Sequence, residues 1–198
     1  MAEKEPRSIA SVVPDGRHLR STRSRAKIVA GMLKLLRSGN LAPSAAEIAT
    51  AAKVSLRTVF RHFDDMDGLY SAIALSLEGD LRPLLSARSN ETNWQDRLAD
   101  HLARRAEIYE KIMPFKIAAD ARRHRSDFLQ QAQTYLLDLE SKGLRYALPP
   151  EIVSDESVFS ALQVATSFET WRQLRNDQEK PASDAQSIVS MMVAKLVG

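Results

Sequence analysis

The sequence predicts an all-α protein, with an N-terminal three-helix unit containing a helix-turn-helix and a larger helical body behind it. Three observations carry this. Apolar residues recur three and four apart in most segments between residues 21 and 197. No segment shows sustained alternation of period two, and no Asn-Gly or Asp-Gly pair joins two β-branched runs. There are only 7 glycines, and the 8 prolines fall mostly at breaks between periodic segments, as in helical proteins.

Residues 1–20 lack a sustained period and hold Pro6, Pro14, Asp15 and Gly16, so a disordered arm is expected there, with Arg17, Arg20, Arg23 and Arg25 making its end basic. The first helix is expected from about Ser21 to Arg37 on Ile28, Met32 and Leu35/Leu36, with Ser38-Gly39-Asn40 as its stop. Ser44 and Glu47 form an S-x-x-E capping box for a second helix, whose Ile48, Ala49 and Ala52 share one side. Ser55 caps a third helix, with Val59 and Phe63 as its apolar side and Arg57, Thr58, Arg61 and His62 facing outward. Asp64-Asp65 opens a fourth helix through Leu69, Ile73, Leu75 and Leu77 to about Arg82, where Pro83 limits it. A long helix is expected over 93–113 with Trp94, Leu98, Leu102, Tyr109 and Ile112 inward, ended by Pro114 and followed by a short helix over 115–123. Residues 126–146 make another, with Phe128, Ala132, Tyr135, Leu136 and Leu139 inward. Two more, over 155–176 and 183–197, complete the set.

Charge is divided unevenly along this series. The net value of +3 conceals 12 Lys+Arg against 4 Asp+Glu in residues 1–63, a balance of +8, leaving 16 against 21, or −5, in 64–198. The basic part coincides with the helix-turn-helix. A short helix with arginines, hydroxyls and an aromatic on its outer face suits a groove lined with phosphates better than a core. This predicts a module for double-stranded DNA attached to a body that does not touch it. The arm either follows the duplex, as basic arms do in the minor groove, or is a solvated tail. Arg57 is the first choice for reading a base, because a guanidinium bridges guanine O6 and N7; the alternative is a solvated charge or a plain phosphate contact.

The residues from Ala26 to Ala74 resemble the TetR family of bacterial transcriptional regulators. The match runs through Ser44, Ile48, Ala49, Val54, Ser55, Thr58, Phe60, His62, Phe63 and Leu69. The resemblance implies that Ser44 and the amides beside it, including Ala45, hold a phosphate at a helix N-terminus. It implies phosphate contacts for Thr58 and His62, and places Ser55, Leu56, Arg57 and Arg61 near base edges or flanking phosphates. Three departures stand out: Lys53 where glycine is frequent, Phe60 where tyrosine is common, and Met66 where lysine often meets phosphate. The resemblance further implies a homodimer on a roughly palindromic operator, paired through about 155–176 and 183–197, with residues 65–198 as a domain for dimerisation and an unknown small-molecule effector. The nearly all-apolar circumference of 188–197 supports pairing independently.

For the effector, His101 and Arg105 lie on or beside the apolar stripe of their helix. Either they line a cavity walled by Tyr109, Phe115, Phe128 and Tyr135, or His101 is a satisfied core histidine and Arg105 reaches the surface. No catalytic motif is recognisable, and the four histidines lack metal-ligand spacing, so no enzyme, cofactor or metal site is expected. No cysteine is present, no apolar run approaches the roughly 20 residues of a membrane span, and the first residues lack a secretory apolar stretch, so a cytoplasmic protein with no membrane partner is expected. The expected function is a sequence-specific DNA-binding transcriptional regulator, most simply a repressor released by a ligand. Its rivals are an architectural DNA-binding protein without an effector and a helical ligand carrier whose basic face is incidental.

Overall fold

Ile28, Met32 and Leu36 stand four apart and are fully buried, and around them the N-terminal third assembles. The structure is a computed structural model that describes residues 16–198, with side chains from residue 19 onward. Helix α1 spans Gly16–Arg37, so residues 16–20 extend it instead of belonging to an arm; residues 1–15 of the expected arm lie outside the described residues. It ends at Gly39, whose positive φ of 91° turns the chain while the Asn40 amide donates to the Leu35 carbonyl. Helix α2, Ala45–Ala52, carries the complete capping box. The Glu47 amide donates to Ser44 Oγ, and the Ser44 amide donates to Glu47 Oε2 at 2.8 Å. Asn40 Nδ2 reaches the same carboxylate at 3.0 Å, tying the end of α1 to the start of α2.

Between α2 and α3 (Leu56–His62) the chain turns on Lys53, with φ 55° and ψ 47°. This is the left-handed conformation that makes glycine frequent there. Helix α1 crosses α2 at Gly31, where a Cβ would lie 2.9 Å from the Ala52 backbone nitrogen. That approach is possible only without a side chain.

Helix α4, Met66–Ser86, starts from an Asp65 cap and passes Pro83 by one turn instead of stopping before it. Its Leu75 is 64% exposed, against the expectation that it faces inward. Helix α5, Trp94–Arg122, is continuous through Pro114, merging the two helices expected on either side of it. The missing proline N–H and its ring cost about 3 kcal/mol in an isolated helix. Here Tyr109, Ile112, Ala118 and Ala119 are buried on both sides of the proline, and their packing offsets that cost.

A 3₁₀ turn, Arg123–Arg125, leads to α6, Asp127–Ala147, capped by Ser126. Tyr135, expected inward on α6, is instead 59% exposed. After α7, Pro150–Ser154, the helix expected over 155–176 divides: α8, Glu156–Ala165, stops at Thr166, and Ser167 caps α9, Phe168–Arg172. A π-turn over Gln173–Asp177 follows. Phe159 and Leu162 before the break and Phe168, Trp171 and Leu174 after it are all buried. Helix α10, Ala182–Val197, packs on α5 and α8 through Ala185, Val189 and Val193. Among the described residues there is no strand, and the fold is all-α. No helix among them is long and apolar enough to cross a membrane.

Two substitutions of opposite sign follow from the α1–α2–α3 packing. Gly31→Ala should destabilise the protein by about 1–3 kcal/mol, because backbone atoms of Ala52 must move. Lys53→Gly should stabilise it by up to about 1 kcal/mol, the left-handed penalty less the entropy glycine adds to the unfolded chain. Urea unfolding of both variants checks the signs; a neutral Gly31→Ala would mean that the two helices separate freely.

Candidate nucleic-acid interface and body groove

Helix α3 is short and is held by two anchors, Val59 and Phe63, 4% and 5% exposed. The Arg25 guanidinium covers the Phe63 ring at 4.9 Å, tying the end of α3 to α1. The exposed residues of α3 lie on its outer side. Arg57 and Arg61 are exposed, as are Leu56 and Phe60, four apart. At its start the Thr58 amide donates to Ser55 Oγ, and the two hydroxyls are 2.8 Å apart. Ser44 is exposed and Ala45 half-buried at the start of α2, and Thr58 is half-buried on α3.

His62 differs from the expectation of an outward group. Its Nε2 is buried without a partner, and burial, followed by the charges of Arg61 and Arg25, lowers its pKa. It therefore adds no fixed positive charge to the surface at neutral pH. The positive edge is supplied elsewhere: Arg20, Ser21 and Ser24 of α1 line one cavity of about 540 Å³ together with Arg61. Ser21 and Ser24 were not singled out in the sequence, because only the fold shows that the first turns of α1 lie beside α3.

The body brings four of the six ligand-cavity candidates together. His101, Arg105, Tyr109 and Tyr135 line a groove of about 560 Å³ between the end of α4 and the facing sides of α5 and α6. Phe115 and Phe128 do not line it. Phe115 packs on Tyr70 at 5.7 Å between ring centres, nearer the start of α4, and Phe128 packs in the core at the start of α6.

The alternative of a satisfied core histidine and an arginine reaching the surface does not describe the two polar residues on α5. Arg105 is buried and does not reach the surface. It donates to Thr166 Oγ1 at 2.7 Å, to the Thr166 carbonyl at 3.2 Å and to the Glu140 carbonyl at 2.6 Å. Tyr109 Oη donates to Glu140 Oε1 at 2.6 Å and lies 3.1 Å from the Thr166 carbonyl. Burial raises both the Tyr109 phenol and the Glu140 carboxyl above their ordinary values. His101 is not a satisfied core histidine: its Nε2 is buried without a partner among the described residues. Its ring fills the space left by Gly143 on α6, where a Cβ would stand 2.8 Å from Cε1.

No family model matches the chain, and no curated protein matches it. Among solved structures it is similar to the crystal structure of a transcriptional regulator from Rhodococcus sp. Rha1. The two share 18% identity with a TM-score of 0.69, over 88% of this chain and 96% of that one. This likeness establishes a shared all-α fold over nearly the whole of both chains.

The state of His101 has a consequence for acid stability. Burial, then Arg105 and Arg104, holds its imidazole down to about 3 from an ordinary 6.5. Between those values the unfolded chain binds a proton that the fold refuses, so stability is full above pH 6.5 and falls as pH drops toward 3. From pH 7 to pH 4.5 this group should remove about 2 kcal/mol. Urea unfolding at both pH values should show a smaller acid loss for His101→Gln by about that amount. Equal losses in the two proteins would place the imidazole in water.

Proposed function

We propose that the protein is a homodimeric, sequence-specific DNA-binding transcriptional regulator of the TetR type, a repressor released from its operator by a small molecule. The observation that carries the DNA reading is the outer side of α3. Arg57 and Arg61 stand exposed beside Leu56 and Phe60, on a helix whose only buried apolar side chains are Val59 at its centre and Phe63 at its end. A helix anchored so narrowly leaves its reading side chains available to a major groove. In this reading Arg57 and Ser55 meet base edges, while Arg61, Thr58 and the capped start of α2 at Ser44 hold phosphates.

One such helix buries little surface alone, and a two-fold partner doubles the contacts. Helices α8 and α10 pack together, and each keeps an apolar side chain in solvent: Val164 is 68% exposed and Met191 53%. A second copy across these helices would cover them and set the two reading helices about 34 Å apart. The groove between α4, α5 and α6 is the proposed effector site. It includes the last two turns of α4, the helix that begins three residues after α3. A ligand that favours one tilt of α4 then changes the separation of the reading helices, provided its affinity differs between the two arrangements.

The test uses the full chain and duplex fragments selected from the source genome for binding. Arg57→Ala should weaken the selected duplex by about tenfold or more while affecting random duplex less. Arg61→Ala should weaken both and lower the salt slope by about 1. Sedimentation should give a dimer that Val164→Asp with Met191→Asp dissociates. A double variant, Arg57→Ala with Arg61→Ala, that keeps full affinity and salt dependence would show that α3 does not read DNA. Equal affinity for selected and random duplex would favour the architectural reading.

A further inference from the structure

We infer that the groove between α4, α5 and α6 takes an anionic ligand with an apolar, ring-sized body; this rests on the reading of that groove as the effector site. Two observations converge. The walls are apolar and open to solvent: Leu85, Tyr135 and Tyr146 are 46%, 59% and 49% exposed, although all three face the same concavity of about 560 Å³. Three large apolar groups gathered around one depression form a surface that gains by being covered.

The second observation is the charge around it. Five cationic side chains line the groove against two carboxylates, Glu78 and Glu140. Lys142 is paired with Asp138 at 2.7 Å, and Arg104 is loosely paired with Asp100 at 3.9 Å. The other three arginines have no carboxylate within ion-pair distance among the described residues. Arg105, at the floor, donates only to carbonyls and a hydroxyl. Arg88 lies over the Tyr146 ring at 5.3 Å, and Arg82 is exposed at the α4 rim. Positive charge is therefore held at the rim and beneath the floor of a partly enclosed apolar trough. Such a field favours a carboxylate, sulfonate or phosphate and disfavours a cation. The ligand's apolar body lies along Tyr135 and Tyr146, and its anionic end sits at Arg82 in the last turns of α4 and at Arg88 two residues past its end. The charge is thus delivered to the helix that leads back to α3.

Two fluorescent probes of nearly one shape separate charge from apolar burial. 8-Anilinonaphthalene-1-sulfonate carries a sulfonate, and N-phenyl-1-naphthylamine is the same ring system without it. Titrated into the full-length protein at neutral pH, the sulfonate should bind at one site per chain and at least tenfold more tightly than the neutral probe. Arg82→Gln with Arg88→Gln should weaken the sulfonate about tenfold and leave the neutral probe within twofold, with an unchanged melting temperature. Equal affinities for the two probes, or a ratio that survives the double substitution, would overturn the inference. A second pair, Arg104→Gln and Leu139→Trp, guards against a folding failure: the first should weaken the sulfonate alone and the second both probes. Operator release is read separately. If the sulfonate binds through Arg82 and Arg88 while the operator stays bound, the groove chemistry stands and release by ligand at this groove falls. If an anion releases the operator equally from the double variant, release stands and this site falls.

Discussion

The docking of Tyr70 against the far end of α5 is the contact on which the two halves of the molecule depend. Tyr70 is 1% exposed, one turn into α4, and packs between the Phe115 ring and the Arg122 guanidinium. Its hydroxyl is 3.5 Å from the Ala118 carbonyl, so apolar burial holds it more than that long hydrogen bond does. One turn earlier Asp67 accepts from Ser126 Oγ at 2.7 Å, the same serine that caps α6. The start of α4 is therefore fixed to both long body helices by groups that also define where those helices begin and end. The head cannot shift against the body without disturbing a cap, a buried ring or both.

This constraint explains why α5 has to run unbroken through Pro114. Its first half walls the groove with His101, Arg105 and Tyr109, and its last turns supply Phe115, Ala118 and Arg122 to Tyr70. Across the middle, Glu110 accepts from Trp171 Nε1 at 2.8 Å and, through both carboxylate oxygens, from Arg175, which fastens α5 to α9 and the π-turn beside the proline. These bonds hold the carboxylate of Glu110 below its ordinary pKa. A helix stapled at its centre and packed at both ends behaves as one body. On the proposed reading, α4 then tilts about that fixed start, with its last turns at the groove and its first turn leading back to the reading helix.

The caps were legible in the sequence because their chemistry is local. Ser44 with Glu47 and Ser55 each accept from an amide three residues on, and no tertiary information is needed to see it. The left-handed turn at Lys53 is signalled by the family resemblance, in which glycine is frequent there. Continuity through Pro114 and the division at Thr166 could not be foreseen. Whether a proline ends a helix depends on what its flanks bury, and that depends on Trp171 and Arg175, 61 and 65 residues beyond Glu110. Tyr135 was misplaced because an aromatic on an amphipathic stripe reads as core, whether the stripe meets a neighbouring helix or an open groove. Gly143 carried no signal either, since the imidazole that needs its missing Cβ lies on another helix.

The break at Thr166 and the buried polar cluster account for one another. Ending α8 there leaves carbonyls that no following turn satisfies, deep enough that water does not reach them. Arg105 donates to the Thr166 carbonyl, and Thr166 Oγ1 turns back to the Leu162 carbonyl at 2.8 Å. The guanidinium is consequently spent on neutral oxygens, with the Glu140 carboxylate near enough to feel its charge but outside ion-pair distance. Had α8 continued straight into α9, Thr166 would have had no free carbonyl to offer and a buried arginine at 105 would have been untenable. A cationic groove floor is thus a direct product of how the last helices are divided. The same division turns Phe168 and Trp171 inward against Tyr109.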